Sequence, residues 1–110
     1  MAEEELAATT PQRRRFMRLP GPFDGRWDGA SGARVCRITD LNSGGCFIDA
    51  YASSPVGTRL TTEVTVSGEG FQLESEVVYV DLVQGFAVRF VDNPPELVDR
   101  LTKAIVARST

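Results

Sequence analysis

The chain has 110 residues, 42% hydrophobic and 25% charged, with a formal net charge of -3; that is ordinary globular composition, with room for one compact domain and a tail. No apolar run approaches the ~20 residues of a membrane span, and the opening MAEEELAATT is acidic where a secretory leader is basic and then apolar, so a cytoplasmic protein is expected. Histidine is absent and the only cysteines are Cys36 and Cys46, which leaves a metal centre short of ligands, removes the commonest general base and argues against an enzyme.

Residues 1–11 carry Glu3, Glu4 and Glu5 without apolar periodicity and read as a flexible acidic tail. Residues 12–20 follow as an arginine-rich segment, and residues 21–110 as the folded domain. Turn signals such as LPGPFDG, DGASG, NSGG, SSPVG, SGEG and VQG then separate short runs rich in Val, Ile, Phe, Thr and Tyr. Strands are predicted at 23–28, 33–40, 45–50, 59–66, 71–80 and 85–91. The 59–66 run is the clearest, with Leu60, Thr62, Val64 and Val66 alternating against Arg59, Thr61, Glu63 and Thr65. Six short strands joined by local turns favour an all-β fold, a closed antiparallel barrel without exposed edges. The period then changes. A C-terminal α-helix is predicted over 93–108, with Asn93 as its N-cap, Pro94 in its first turn, and Leu97, Leu101 and Ile105 stacked on the side facing the barrel. Cys36 and Cys46 sit in strand runs as small buried hydrophobes.

Two stretches carry chemistry. QRRRFMR places Arg13, Arg14, Arg15 and Arg18 just ahead of the first strand, in a chain with eleven arginines and one lysine. Clustered like charges repel unless something anionic screens them, and the guanidinium fork suits phosphate and guanine edges. A basic linker that binds polyanions loosely is the plainer reading. TDLNSGGCFID joins the second and third predicted strands. Asp40 supplies an acceptor there, Asn42 a donor and an acceptor on the same face, and Gly44 and Gly45 allow positive φ and close backbone approach to a ligand. Taken alone, that stretch is a common hairpin turn.

In this order and ahead of this β pattern, the two stretches resemble the PilZ domain, a bacterial receptor for the second messenger cyclic di-GMP. Arg13, Arg14 and Arg18 fit its R-R-x-x-x-R motif; Asp40, Asn42 and Gly45 fit its (D/N)-x-S-x-x-G motif. The stretch VVYVDLVQGFAVRFVDNPPELVDRL is similar to the family's last hairpin and helix. The departure is Asn42, where the family has serine: a bulkier amide replaces a hydroxyl. The resemblance implies a six-stranded antiparallel barrel of PilZ type with a C-terminal helix, and a single-domain adaptor with no cofactor beyond its ligand. On binding cyclic di-GMP, the arginine segment would order over the barrel and alter a docking surface for an effector protein. Arg13, Arg14 and Arg18 would hold guanine edges and phosphates. Asp40 would accept from guanine or hold an arginine, Asn42 would supplement it, and Gly45 would leave room; Arg15 and Tyr79 are further candidates, Tyr79 as a flat contact for a base.

Two other readings compete. One is a PilZ-like interaction module with weak or no nucleotide binding. The other is a small β-barrel that binds single-stranded nucleic acid through the basic segment and Trp27 or Phe23, although acidic residues spread over the strand faces disfavour any nucleic-acid polymer as partner.

Overall fold

The structure, a computed structural model, describes residues 19–29, 32–50 and 54–109. Its strands are β1 (Phe23–Gly29), β2 (Gly32–Asn42), β3 (Gly45–Asp49), β4 (Arg59–Val66), β5 (Glu69–Asp81) and β6 (Gly85–Phe90), followed by the helix α1 (Pro95–Ser109). They close into an antiparallel barrel in the order β1-β2-β3-β6-β5-β4. Local hairpins supply four of the pairings; β3 with β6 and β1 with β4 complete the ring. The all-β expectation and the predicted barrel agree with this architecture.

Alternation drives the closure. Leu60, Thr62, Val64 and Val66 of β4 face inward, as do Phe71, Leu73, Ser75 and Val77 of β5, and all are buried. The Ser75 hydroxyl, buried among these hydrophobes, lies 2.9 Å from Thr62 Oγ1 and 3.0 Å from the Leu73 carbonyl oxygen, so both buried hydroxyls have a partner and the penalty of an unpaired polar group is avoided. Trp27 packs edge-on against Phe86 at a centroid distance of 5.1 Å and fills one end of the barrel.

α1 closes the other end. Leu101 and Ile105 are buried in the core, and Leu97 packs against it. The Arg100 guanidinium lies over Phe71 and bonds Glu69, while Arg108 lies over Phe23. Contrary to the sequence expectation, Asn93 is not the N-cap. The Pro94 carbonyl accepts the first helical bonds from Leu97 and Val98. Asn93 instead accepts from the Glu74 amide (2.8 Å) and donates to the Glu74 carbonyl (3.0 Å), fastening the helix approach to β5.

Two bulges move strand boundaries and faces. In β5 the register shifts between Val77 and Tyr79, so Val78 and Tyr79 are both exposed and Val80 turns partly toward the core. Strict alternation would have kept Tyr79 on the buried face; an extra residue reverses the faces beyond it. β5 also starts earlier than predicted, because the SGEG stretch turns within Ser67 and Gly68 alone. Both have positive φ, 51° and 85°, which suits a tight two-residue hairpin whose twist matches the strands.

Gly85 shows how closely β3 and β6 approach. Its φ is 145°, and a Cβ there would overlap the Ile48 carbonyl oxygen. Gly85→Ala is expected to lower unfolding free energy by about 2–4 kcal/mol through strain and a backbone clash, read as a shift in urea midpoint.

Candidate functional site

The segment that enters the barrel is fixed at its first described residue. Leu19 and Leu41 exchange two backbone hydrogen bonds, each 2.9 Å, and Pro20 accepts a third from the Asp40 amide at 3.3 Å. Leu19 and Leu41 are both buried. This bridge sits within the second bulge, where the β2–β3 register shifts between Thr39 and Asn42. Asp40 takes φ 50° there, a left-handed conformation that Asp tolerates better than most side chains. The bulge leaves Asp40 exposed, Leu41 in the core and Asn42 half-buried, so the two polar side chains flank the strand residue that holds Leu19.

Asn42 shapes the turn that follows. Its Oδ1 accepts from the amides of Gly44 (2.7 Å) and Gly45 (3.0 Å), a side-chain substitute for backbone pairing. Neither glycine has positive φ; Asp40 does instead. A side chain is excluded at Gly45 for another reason: a Cβ would overlap the Val88 carbonyl oxygen of β6. The Gly45 amide is thereby held beside the groove with its strand packed against β6.

These residues line an open groove of about 410 Å³ on the barrel's outer face, formed by Asp40, Asn42, Gly44 and Gly45 with Phe47 and Ala87 beside them and Cys46 and Val88 below. Thr39, Phe47, Ala87 and Tyr79 pair in succession across β2, β3, β6 and β5. That row brings the exposed Tyr79 next to Ala87 of the groove wall. Phe47 and Ala87 are not legible as site residues in the sequence, because only the β3–β6 pairing brings them to the turn. Arg89, opposite Gly45 in the register, is bonded to Glu76 at 3.1 Å.

Among the described residues, Asp40 is the only charged one lining the groove. Burial pushes the Cys46 thiol upward, and burial together with Asp49 raises Cys36 to about 11, so both stay protonated at neutral pH and are poor nucleophiles. No group of three or more potential metal ligands occurs among the described residues. Phe23 and Trp27, candidates for stacking on nucleic-acid bases, are 6% and 1% exposed. As core residues they present no face to a base, which corrects that expectation. Arg13, Arg14, Arg15 and Arg18 lie outside the described residues.

The PilZ domain family profile matches residues 12–107, from the arginine segment through most of α1. The chain belongs to the PilZ domain family. Among solved structures the fold is similar to the inhibitor of motility MotI/DgrA of Bacillus subtilis, with a TM-score of 0.74 at 14% identity over 99% of this chain. It is also similar to the c-di-GMP-bound PilZ domain of YcgR from Escherichia coli, with a TM-score of 0.68 at 20% identity over 89% of this chain and 92% of that one. YcgR in complex with c-di-GMP gives a TM-score of 0.70 at 23% identity over 87% of this chain. This chain spans 56% of the MotI chain and 46% of that longer YcgR chain. At these identities the likeness is one of fold. No curated protein matches in sequence.

Asn42→Ala removes the acceptor for two amides and is expected to cost about 1–2 kcal/mol of stability. Asn42→Ser, whose hydroxyl can accept one of them, should cost less; thermal and urea unfolding of both variants measure the difference.

Proposed function

We propose that this chain is a receptor for cyclic di-GMP, held between the Asp40–Gly45 groove and the arginine segment that precedes Leu19. The observation that carries the reading is the double hydrogen bond between Leu19 and Leu41. Arg18 is the residue bonded to Leu19, so the arginine segment starts beside Asp40 and Asn42. Membership of the PilZ family and the fold shared with a c-di-GMP-bound YcgR domain support the same ligand.

Charge explains why both parts are needed. The ligand carries two phosphodiester negative charges, whereas among the described residues the charge lining the groove is the carboxylate of Asp40. A dianion gains little there unless cations arrive from elsewhere, and the arginines supply them. Arg14 and Arg18 take guanine edges or phosphates through their guanidinium forks, and Arg13 adds a further contact, with Arg15 at the margin. Asp40 accepts from a guanine N–H or steadies one arginine. Asn42 contributes its Nδ2 donor, since Oδ1 is engaged by the turn; Gly44 and Gly45 keep that side of the groove low. Tyr79, across the register from Ala87, offers a flat face to a base. Neutralising the clustered arginines lets their segment order over the barrel and present a changed surface to an effector protein.

The engagement of Asn42 Oδ1 favours a second reading, a PilZ interaction module with weakened nucleotide binding. Titration calorimetry separates the two, with GTP and cyclic GMP as controls: saturable heat with cyclic di-GMP alone supports the receptor, and absence of heat at high micromolar ligand with folded protein excludes it. Arg14→Ala and Arg18→Ala are each expected to weaken binding by roughly 1.5 to 3 kcal/mol, the range for a charge-assisted hydrogen bond, without changing the unfolding midpoint. Asn42→Ser should retain or strengthen binding in the same assay.

A further inference from the structure

The barrel end filled by Trp27 carries a second, larger cavity of about 790 Å³, opposite the end closed by α1. Its walls come from β1, β2, the end of β3 and the turn between β5 and β6, and share no residue with the Asp40–Gly45 groove. Beside it stands an unusual hairpin tip. Turns normally carry small polar residues at their exposed positions, but here Leu82 and Val83 are 94% and 86% exposed, with Val35 of β2 at 83% on the same cavity rim as Val83. The tip is rigid. Asp81 Oδ1 accepts from the amides of Val83 (2.9 Å) and Gln84 (3.1 Å), and Gln84 O accepts from the Ala50 amide (3.2 Å). The two aliphatic side chains are thus presented on a hydrogen-bonded finger. In the cavity, Trp27 is buried and its Nε1 has no hydrogen-bond partner.

From this face we infer that the protein self-associates, two copies meeting about a two-fold axis so that the Leu82–Val83 finger of each enters the other's cavity. A finger next to a groove on one face is self-complementary under a two-fold rotation, because each copy offers what the other lacks. The charges agree. The cavity lining pairs two acids, Asp24 and Asp49, with two bases, Arg34 and Arg37, so the recess itself carries balanced charge on a chain of net charge -3 and a second copy meets both signs there. Arg37 lies between Asp24 and Asp49 in the strand register, and that alternation gives each sign an opposite on the second copy. The contact uses no residue assigned to the nucleotide and needs no ligand.

Sedimentation velocity of the full chain without nucleotide, across the micromolar range, is the test. The wild type is expected to show reversible, concentration-dependent formation of a species of twice the chain mass. Leu82→Glu and Val35→Glu, both at solvent-exposed positions, should raise the dissociation constant by at least about tenfold, the loss expected for a charged group replacing a buried aliphatic anchor, with unchanged thermal midpoints. Val106→Glu, on the exposed side of α1 at the far end, should associate like the wild type. A wild type that stays monomeric at the highest concentration overturns the inference, as does a dimer that survives Leu82→Glu and Val35→Glu or is broken by Val106→Glu.

Discussion

A pair of backbone hydrogen bonds between Leu19 and Leu41 sets the geometry on which the proposed site depends. It forms where β2 is bulged and Asp40 occupies a left-handed conformation. A regular strand would have carried β2 straight into its turn, with its ladder positions opposite β1 and β3. The bulge re-aims Asp40 and opens a position for Leu19, and both leucines are buried there. Leu19 is therefore held beside the acid and amide of the turn, and the local strain at Asp40 is offset by two backbone hydrogen bonds and two core side chains.

Closure of the barrel constrains where the proposed ligand can bind. Its interior is filled by hydrophobes and by the hydrogen-bonded Thr62 and Ser75, with α1 at one end and Trp27 at the other. The Asp40–Gly45 groove, where we propose that the dianionic nucleotide binds, lies on the outer surface beside β2, β3 and β6. Among the described residues the groove is lined by one acid and no cation, and in the proposed receptor the arginines supply the positive charge that a dianion needs. In that proposal the site has two parts, a groove built by the barrel and a set of arginines whose mutual repulsion the phosphates offset.

Much of this was legible in the residues. Alternation in β4 identified a half-buried strand, turn signals bounded the others, and Leu97, Leu101 and Ile105 marked the packed side of the helix. What periodicity could not show was where it breaks. The bulge after Val77 brings Tyr79 outward, and the one after Thr39 gives positive φ to an aspartate, leaving the neighbouring glycines in ordinary conformations. Both follow from long-range pairing. The same is true of Phe47 and Ala87, which meet the turn only through the β3–β6 contact, and of Asn93, whose capping pattern was overridden by bonds to Glu74. The Asp40, Asn42 and Gly45 motif was readable because its residues are close in sequence. Its use of Asn42 Oδ1 to organise the turn was not, since the same side chain has the chemistry to face a ligand.

The most direct test of the central claim is a two-dimensional 15N–1H NMR titration of the full chain with cyclic di-GMP, following the amides on both sides of the Leu19–Leu41 pair. The account predicts that Leu19, Leu41, Gly44, Gly45 and Ala87 shift together and saturate as the ligand is added. It is contradicted if these amides stay in place at saturating ligand in folded protein, or if the changes are confined to the Trp27 end of the barrel.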